Sequence, residues 1–481
     1  MSTTAAAHVL LYPFSNSGHI IPILDLATKL LSRGLDVTVL VSPSNLPLLD
    51  SLLFKYPSSF QSLVLTLPES AVVSPTNFLF NLRAMSGLSD DVIQWFHSHP
   101  NPPVAIVSDF FFGWTHKIAR QLGVSHIVFS PSGVLALSVE YAVWRDRPKN
   151  DEPENQDFMV SFPSIPNSPS YPWWQISELH RNLEDGDPDK EYIRNCMLDI
   201  IGSWGLVVNT FTELERVYIE AMKKLMGHNR VWAVGPLLPA PEDDDAKRGG
   251  SSAVPSHKVL SWLDQCQNDS VVYICFGSRT SLPNQQMVVL AAALEKSGVN
   301  FIWCVRQQGK GDVASESGVI PEGFEDRVGN RGFVIRGWAP QVQILRHRAV
   351  GAFLTHCGWN STLEGLAAGL VMLTWPMGAD QYTNANLLVD EVGVGIRVAE
   401  ETRRVPDSTE LARILSEAVD GSRPEKVRAM ELRDAALSAA NGGSSDRDLD
   451  DLVERLKELK CEKGTNGHVL GHPISGSTNG V

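Results

Sequence analysis

Short apolar runs alternate along this chain with stretches whose apolar residues recur at helical spacing. His8–Pro13 is apolar and reads as a strand, Ile20–Arg33 carries a helical period that stops at Gly34, and Leu35–Val41 is a second strand. Strand, helix and strand in that order form a βαβ unit, which implies a parallel sheet. Further strands are expected at Val104–Ser108, His126–Ser130 and Gly205–Asn209. Between Leu238 and His257 the alternation breaks into Pro-Ala-Pro-Glu-Asp-Asp-Asp and Lys-Arg-Gly-Gly-Ser-Ser, a loop or linker. It then restarts: strand Ser270–Phe276, helix Asn284–Ser297, and strands Asn300–Arg306, Gly332–Ile335, Ala352–Thr355 and Val371–Trp375.

The expected fold class is therefore α/β, with two Rossmann-like domains. The first spans residues 1–238, a linker 239–257, and the second 258–444. An amphipathic helix follows over 445–460, with Leu449, Leu452, Leu456 and Leu459 on one face, and residues 461–481 form a Gly- and Ser-rich tail with little to bury. Ligands of such folds sit beyond the carboxyl ends of the strands, and with two domains the cleft between them is the expected site.

Composition narrows the partners. The chain has 481 residues, 43% hydrophobic and 20% charged, with 41 Lys and Arg against 55 Asp and Glu, for a net charge of −14. That balance excludes a nucleic-acid partner and an anionic membrane surface as its business. No run approaches the ~20 apolar residues of a membrane span, and the first residues lack the basic start of a secretory signal. Cys196, Cys266, Cys275, Cys304, Cys357 and Cys461 show no C-x-x-C spacing and read as reduced thiols of a cytoplasmic protein.

Candidate chemistry gathers at strand ends. Thr355-His356-Cys357-Gly358-Trp359-Asn360-Ser361 follows a strand and precedes a helix expected over Thr362–Ala368. The N–H groups of a helix N-terminus suit a diphosphate, and His356, Asn360 and Ser361 add donors. Ser361-x-x-Glu364 also reads as a plain capping box, while the Glu364 carboxylate equally suits two ribose hydroxyls. Trp338 offers a ring to a nucleobase or to the core. Asp380 and Gln381 suit vicinal hydroxyls of a hexose, or a capped helix start. In the first domain His19 lies between the first strand and its helix, as a general base or as polar surface. Asp109 ends a buried strand, where it orients His19 or simply makes a turn. No metal is required: Asp243-Asp244-Asp245 sits in the linker and reads as a solvated acidic run.

The segment from Trp338 to Gln381, opening W-A-P-Q, continuing through H-C-G-W-N-S and L-E-G and closing D-Q, resembles the plant secondary-product glycosyltransferase signature in sequence and length. Gly18-His19 with Pro22, V-S-D at Asp109, V-V-N-T-F at Val207–Phe211 and F-G-S at Phe276–Ser278 extend the likeness over most of the chain. The chain resembles a plant family 1 UDP-dependent glycosyltransferase. The resemblance implies two facing Rossmann-like domains of the GT-B type, with the C-terminal helix crossing back to the first. It implies a UDP-sugar donor, a small aromatic hydroxyl acceptor such as a flavonoid, no cofactor, and a monomer. It places Trp338 on uracil, Ala339 in the donor site and Gln341 near base and ribose. Glu364 falls on the ribose hydroxyls, and Ser278, His356, Asn360 and Ser361 on the diphosphate. Trp359, Asp380 and Gln381 face the sugar, with His19 as base and Asp109 as its partner. Gln381 as the closing residue points to glucose, with rhamnose, xylose and galactose as alternatives. Phe111, Phe112, Trp114, Trp144, Trp173 and Trp174 are candidate walls for the acceptor. A nicotinamide oxidoreductase is disfavoured because the first turn has no G-x-G-x-x-G. A non-catalytic UDP-sugar sensor would not need His19 paired with Asp109.

Overall fold

The computed structural model describes residues 6–67, 78–239, 248–306, 318–400 and 404–466. The acidic run Asp243–Asp245 and the tail from 467 onward lie outside the described residues.

The first half folds as strands β1 (His8–Tyr12), β2 (Asp36–Val41), β3 (Phe60–Val64), β4 (Ala105–Asp109) and β5 (Ser125–Ser130). A short antiparallel pair follows, β6 (Met159–Ser161) and β7 (Ser170–Pro172), and then β8 (Gly205–Val208) and β9 (Val231–Ala233). All but the pair join one parallel sheet in the order β3-β2-β1-β4-β5-β8-β9. The second half gives β10 (Val271–Cys275), β11 (Asn300–Val305), β12 (Gly332–Arg336), β13 (Val350–Thr355), β14 (Val371–Thr374) and β15 (Gly395–Arg397). They too form a parallel sheet, in the order β12-β11-β10-β13-β14-β15.

Parallel strands with helices on both faces are buried on both faces, which is why the central ones read as unbroken apolar runs. Every residue of β1, β4, β10 and β13 is buried. The edge strand β3 is not legible that way, because Phe60 and Leu63 are buried while Gln61 and Val64 are exposed.

In each sheet the chain order reverses beside its first strand. β1 pairs with both β2 and β4, and β10 with both β11 and β13. At such a switch point the connections leave in opposite directions and open a crevice at the strand carboxyl ends. Tyr12 stands beside Ser108 there, and Cys275 beside Thr355. Asp109 ends β4, Ser278 and His356 lie in the loops after β10 and β13, and His19 stands in the helix that follows β1.

The last helix, Ser444–Asn466, runs past the expected end at residue 460, so 461–466 are helical rather than part of the tail. Leu449, Leu452, Val453 and Leu456 are buried in the core beneath β1 and β2. Burying each such leucine contributes roughly 1.5–3 kcal/mol. Asp448 accepts the Ala233 N–H (2.8 Å) and Asp451 the Trp232 indole N–H (2.7 Å), closing the β9 edge of the first sheet.

Candidate active site

The first helix spans Ser17–Ser32, three residues earlier than its apolar period suggests. His19 is thus in the opening turn of the helix, not in the loop before it. Pro22, inside that helix, hides the true start. It has no N–H, so the carbonyl four residues earlier, Gly18, loses its helical partner. The side-chain amide of Asn360, from the second domain, donates to that carbonyl at 3.1 Å.

His19 Nδ1 lies 2.6 Å from Asp109 Oδ2, with the Asp109 side chain fully buried and the His19 ring 16% exposed. Asp109 also accepts the Phe111 N–H at 3.1 Å, which fixes its rotamer. With Nδ1 held by the carboxylate, Nε2 is the nitrogen left for another group. The ring stacks near Phe111 (5.2 Å, 26°) and Phe110 (5.8 Å, 18°), with Phe14 edge-on at 5.5 Å. Phe78 packs edge-on against Phe111 at 4.8 Å.

On the second sheet, Cys357 turns the chain with φ of 64°, a left-handed conformation uncommon for a side chain larger than glycine. Thr355 Oγ1 accepts the Cys357 N–H at 3.1 Å and Asn384 donates to the Cys357 carbonyl at 2.9 Å, so the turn is held from both sides. The helix after it spans Trp359–Ala368, with Gly358 as N-cap and no side-chain cap bond. The capping-box reading of Ser361 and Glu364 is therefore wrong. Ser361 is already inside the first turn, and Glu364 faces other partners. The His356 ring lies against Gly277 and Gly358; a Cβ on either would come within 2.5 Å of Nε2. Burial holds the imidazole down to about 4, so it is neutral at pH 7, and its Nδ1 is buried without a partner among the described residues. Ser278, beside Gly277, is exposed at the end of β10.

A polar chain crosses this site. Tyr273 donates to Gln341 Oε1 (3.1 Å), and Gln341 Nε2 donates to Ser361 Oγ (3.1 Å) and Glu364 Oε2 (2.7 Å). Glu364 Oε1 pairs with Arg248, whose other terminal nitrogen reaches Asp25 at 2.8 Å. Trp338 is half-buried, and its indole N–H donates to the Arg248 carbonyl at 3.1 Å. Ala339 is buried, and its carbonyl accepts the Gln341 N–H at 2.8 Å.

Three expected sugar contacts take distinct places. Trp359 is buried, with its indole N–H on the Asn209 carbonyl at 2.6 Å and its ring edge against Gly133. Asp380 accepts from Ser132 of the first domain at 2.6 Å and from Asn384 at 3.1 Å; it stands at a helix start but caps nothing. Gln381 Oε1 accepts the Met377 and Gly378 N–H groups at 2.9 and 3.1 Å, which leaves its NH₂ as the free end.

Of the six aromatics expected around an acceptor, Phe111 alone touches the His19 ring. Phe112, Trp114 and Trp144 are core, and Trp144 donates to Glu140 at 2.7 Å. Trp174 packs edge-on against Tyr382 at 5.1 Å. Trp173 lines a cavity of about 320 Å³, with Arg147, Lys149, His180 and Lys190, that includes no other expected site residue. Phe14, Phe78 and Phe110, which pack with Phe111 in the ring cluster around His19, carry no signal in the sequence that sets them apart. Nor does Glu215, a buried carboxylate that accepts the Val134 and Leu135 N–H groups at 3.0 and 2.8 Å, opening the helix beside Trp359.

Two parallel Rossmann-like sheets whose switch points meet across a cleft, one bearing a histidine–aspartate pair and the other a strained turn into a helix, define a GT-B glycosyltransferase. Residues 235–432 match the family model described as UDP-glucoronosyl and UDP-glucosyl transferase. The chain is 48% identical over 464 residues to UDP-glycosyltransferase 89B2 of Stevia rebaudiana, covering 94% of this chain and 98% of the relative. It is 47% identical over 470 residues to flavonol 3-O-glucosyltransferase UGT89B1 of Arabidopsis thaliana, covering 95% and 97%. The crystal structure of Arabidopsis thaliana UGT89C1 complexed with UDP-L-rhamnose is similar with a TM-score of 0.78 at 37% identity, covering 94% of this chain and all of that one. The chain belongs to the plant family 1 UDP-glycosyltransferases. It is an enzyme that transfers sugar from a UDP-sugar. Among the described residues no helix is long and apolar enough to cross a membrane, and no three or more His, Cys, Asp or Glu side chains are grouped to hold a metal.

Proposed function

We propose that the enzyme transfers glucose from UDP-glucose to a hydroxyl of a small phenolic acceptor such as a flavonol, with inversion and without a metal. The observation that carries this is the 2.6 Å His19–Asp109 contact, set among phenylalanine rings and facing the Trp338–Gln381 segment. His19 Nε2 takes the acceptor proton as the oxygen bonds to the anomeric carbon, and the bond to UDP breaks with its electron pair leaving on the diphosphate. A phenol keeps its proton at neutral pH, its pKa being about 10, so proton transfer to His19 accompanies attack rather than preceding it. Asp109 holds the tautomer and stabilises the imidazolium.

Departing UDP meets the N-terminus of the helix Trp359–Ala368, with Ser361, Ser278 and His356 beside it. His356 serves as a neutral donor there, given its depressed pKa. Trp338 with Ala339 and Gln341 takes the uracil and ribose, and Glu364 the ribose hydroxyls. Asp380 and the free NH₂ of Gln381 take sugar hydroxyls, while Trp359 walls the cleft and Asn360 ties it to the first domain. Phe14, Phe78 and Phe111 hold the acceptor ring. The proposal includes action as a cytoplasmic monomer with no resident cofactor, the UDP-sugar being a co-substrate. Cys196, Cys266, Cys275, Cys304 and Cys357 standing as thiols suits a reducing compartment.

A second donor is favoured by one observation, the UDP-L-rhamnose in the similar UGT89C1 structure. A screen of UDP-glucose, UDP-rhamnose, UDP-xylose and UDP-galactose against flavonols and simpler phenols, with mass detection, tests donor and acceptor together. Higher turnover with UDP-rhamnose than with UDP-glucose replaces glucose by the second reading. No transfer to any phenol overturns the acceptor class.

A further inference from the structure

Arg248, Gly249 and Gly250 follow the acidic run of the linker, yet they lie inside the cleft. The Arg248 guanidinium bridges two carboxylates from different domains, Asp25 on the first helix (2.8 Å) and Glu364 on the helix after β13. Its side chain is 14% exposed, and those of Asp25 and Glu364 are 16% and 4%. The two glycines lie along Trp338. A Cβ on Gly249 would stand 2.7 Å from the indole Cζ2 and 2.3 Å from Ile21 Cδ1, and one on Gly250 would stand 3.5 Å from Cδ2. Their φ angles, 75° and 157°, are ones that side chains rarely adopt. A side chain has no room at Gly249, and at Gly250 it is the backbone angle rather than the ring that disfavours one. The indole N–H to the Arg248 carbonyl (3.1 Å) and the Ala253 N–H to the Trp338 carbonyl (2.8 Å) pin both ends of the strap.

Glu364 and Trp338 are the two groups assigned above to ribose and uracil, and this inference rests on that assignment. Arg248 holds one carboxylate oxygen of Glu364 and Gln341 the other, so a ribose diol finds neither oxygen unengaged. We propose that Arg248–Gly250 is an internal occupant of the nucleotide subsite, holding Glu364 and Trp338 until the uridine of a UDP-sugar displaces it. The strap is built to leave. Arg248 Nε is buried with no acceptor among the described residues, a fault that ends when the guanidinium returns to water. Its anchors on Asp25 and Glu364 span the two domains, so donor entry and release of this interdomain tie are one event. The apparent donor affinity is then the intrinsic affinity reduced by the fraction of molecules with the strap out.

The test is calorimetric titration of UDP alone into the full chain and its variants, with no acceptor present. R248A is expected to bind UDP more tightly by on the order of fivefold. D25N, which keeps the strap but removes the charge of its anchor on the first domain, shifts the same way by less. G249A, whose Cβ cannot sit beside Ile21 and Trp338, also tightens binding and serves if R248A melts early. The double variant D25N/R248A gains no more than R248A alone, because both act through one tie. Unchanged or weaker UDP binding in R248A, as when the guanidinium swings onto the diphosphate, overturns the strap while leaving the nucleotide site intact. Failure of UDP to bind the unmodified enzyme overturns the assignment of Trp338 and Glu364, and the strap with it.

Discussion

Asn360 and Gly18 meet across the cleft because Pro22 leaves the Gly18 carbonyl without its helical partner. The proline does not merely tolerate its place in the helix. It creates an acceptor one residue before His19 that the second domain takes up. Restoring the N–H with Pro22→Ala should close the helical bond within the first domain and compete with Asn360. The variant is expected to melt higher and yet lose about 3–10-fold in kcat/KM, matching Asn360→Ala, since one net hydrogen bond is worth roughly 0.5–1.5 kcal/mol. Thermal melts with steady-state kinetics check this, and unchanged kcat/KM in Pro22→Ala would show that the clasp has no part in transfer.

His19→Ala is expected to lower kcat by about 10²–10⁴, the range of a positioned general base, while UDP binding by calorimetry stays near normal. Asp109→Asn removes the negative partner from a ring nitrogen 2.6 Å away and should also reduce kcat with little change in donor binding. Near-normal turnover in His19→Ala removes it from the mechanism.

Donor choice tests Gln381. Its Oε1 is fixed by two backbone N–H groups, so Gln381→His removes both the loop anchor and the free NH₂. Turnover with UDP-glucose should fall by about tenfold or more, with a rise in the donor KM, as expected for a lost polar contact and a loosened loop. Retained UDP-glucose kinetics would place the sugar hydroxyls elsewhere.

Stability should fall in mild acid. Burial holds His8 down to about 4 and His126 to about 3, against 6.5 in the unfolded chain. Between pH 6.5 and those values the unfolded chain binds more protons, so stability rises with pH. The contribution is complete above pH 6.5 and is lost as pH falls, at up to about 1.4 kcal/mol per pH unit per histidine. His126 is 2% exposed and accepts from or donates to Ser108 (3.0 Å) and Thr115 (2.9 Å) through Nε2. His126→Gln should unfold more easily at pH 7 but with a shallower slope from pH 6.5 to 4.5, by about one proton's worth. Urea titrations across that range measure the slope, and an unchanged slope would assign the acid lability to other groups.

Much of the fold is legible in the sequence because parallel strands buried on both faces leave unbroken apolar runs, as β1, β4, β10 and β13 do. The edge strand β3 mixes buried and exposed positions without a regular period, and β9 and β15 have three residues each, too few for one. Candidate site residues are legible where order along the chain carries the resemblance, as from Trp338 to Gln381. What local spacing misread were partners distant in the chain. Ser361 and Glu364 look like a capping box until Arg248 and Gln341 draw the carboxylate away from the helix end. Arg248 looks like linker, since its partners are 116 and 223 residues off. Phe14, Phe78 and Phe110 come from three separate loops or helices, and only the folded sheet brings Phe14 and Phe110 beside His19 and Phe78 behind Phe111.

The C-terminal helix gives the molecule an unusual order of completion. Lys460 reaches the Ala6 carbonyl at 2.6 Å, so the last helix meets the start of the described residues. The core under β1 and β2 lacks Leu449, Leu452 and Leu456 until synthesis has passed Leu456, long after both sheets have been made. The first domain to emerge is therefore the last to be sealed, and a fragment ending before Ser444 would present an apolar groove and an uncovered β9 to any neighbour.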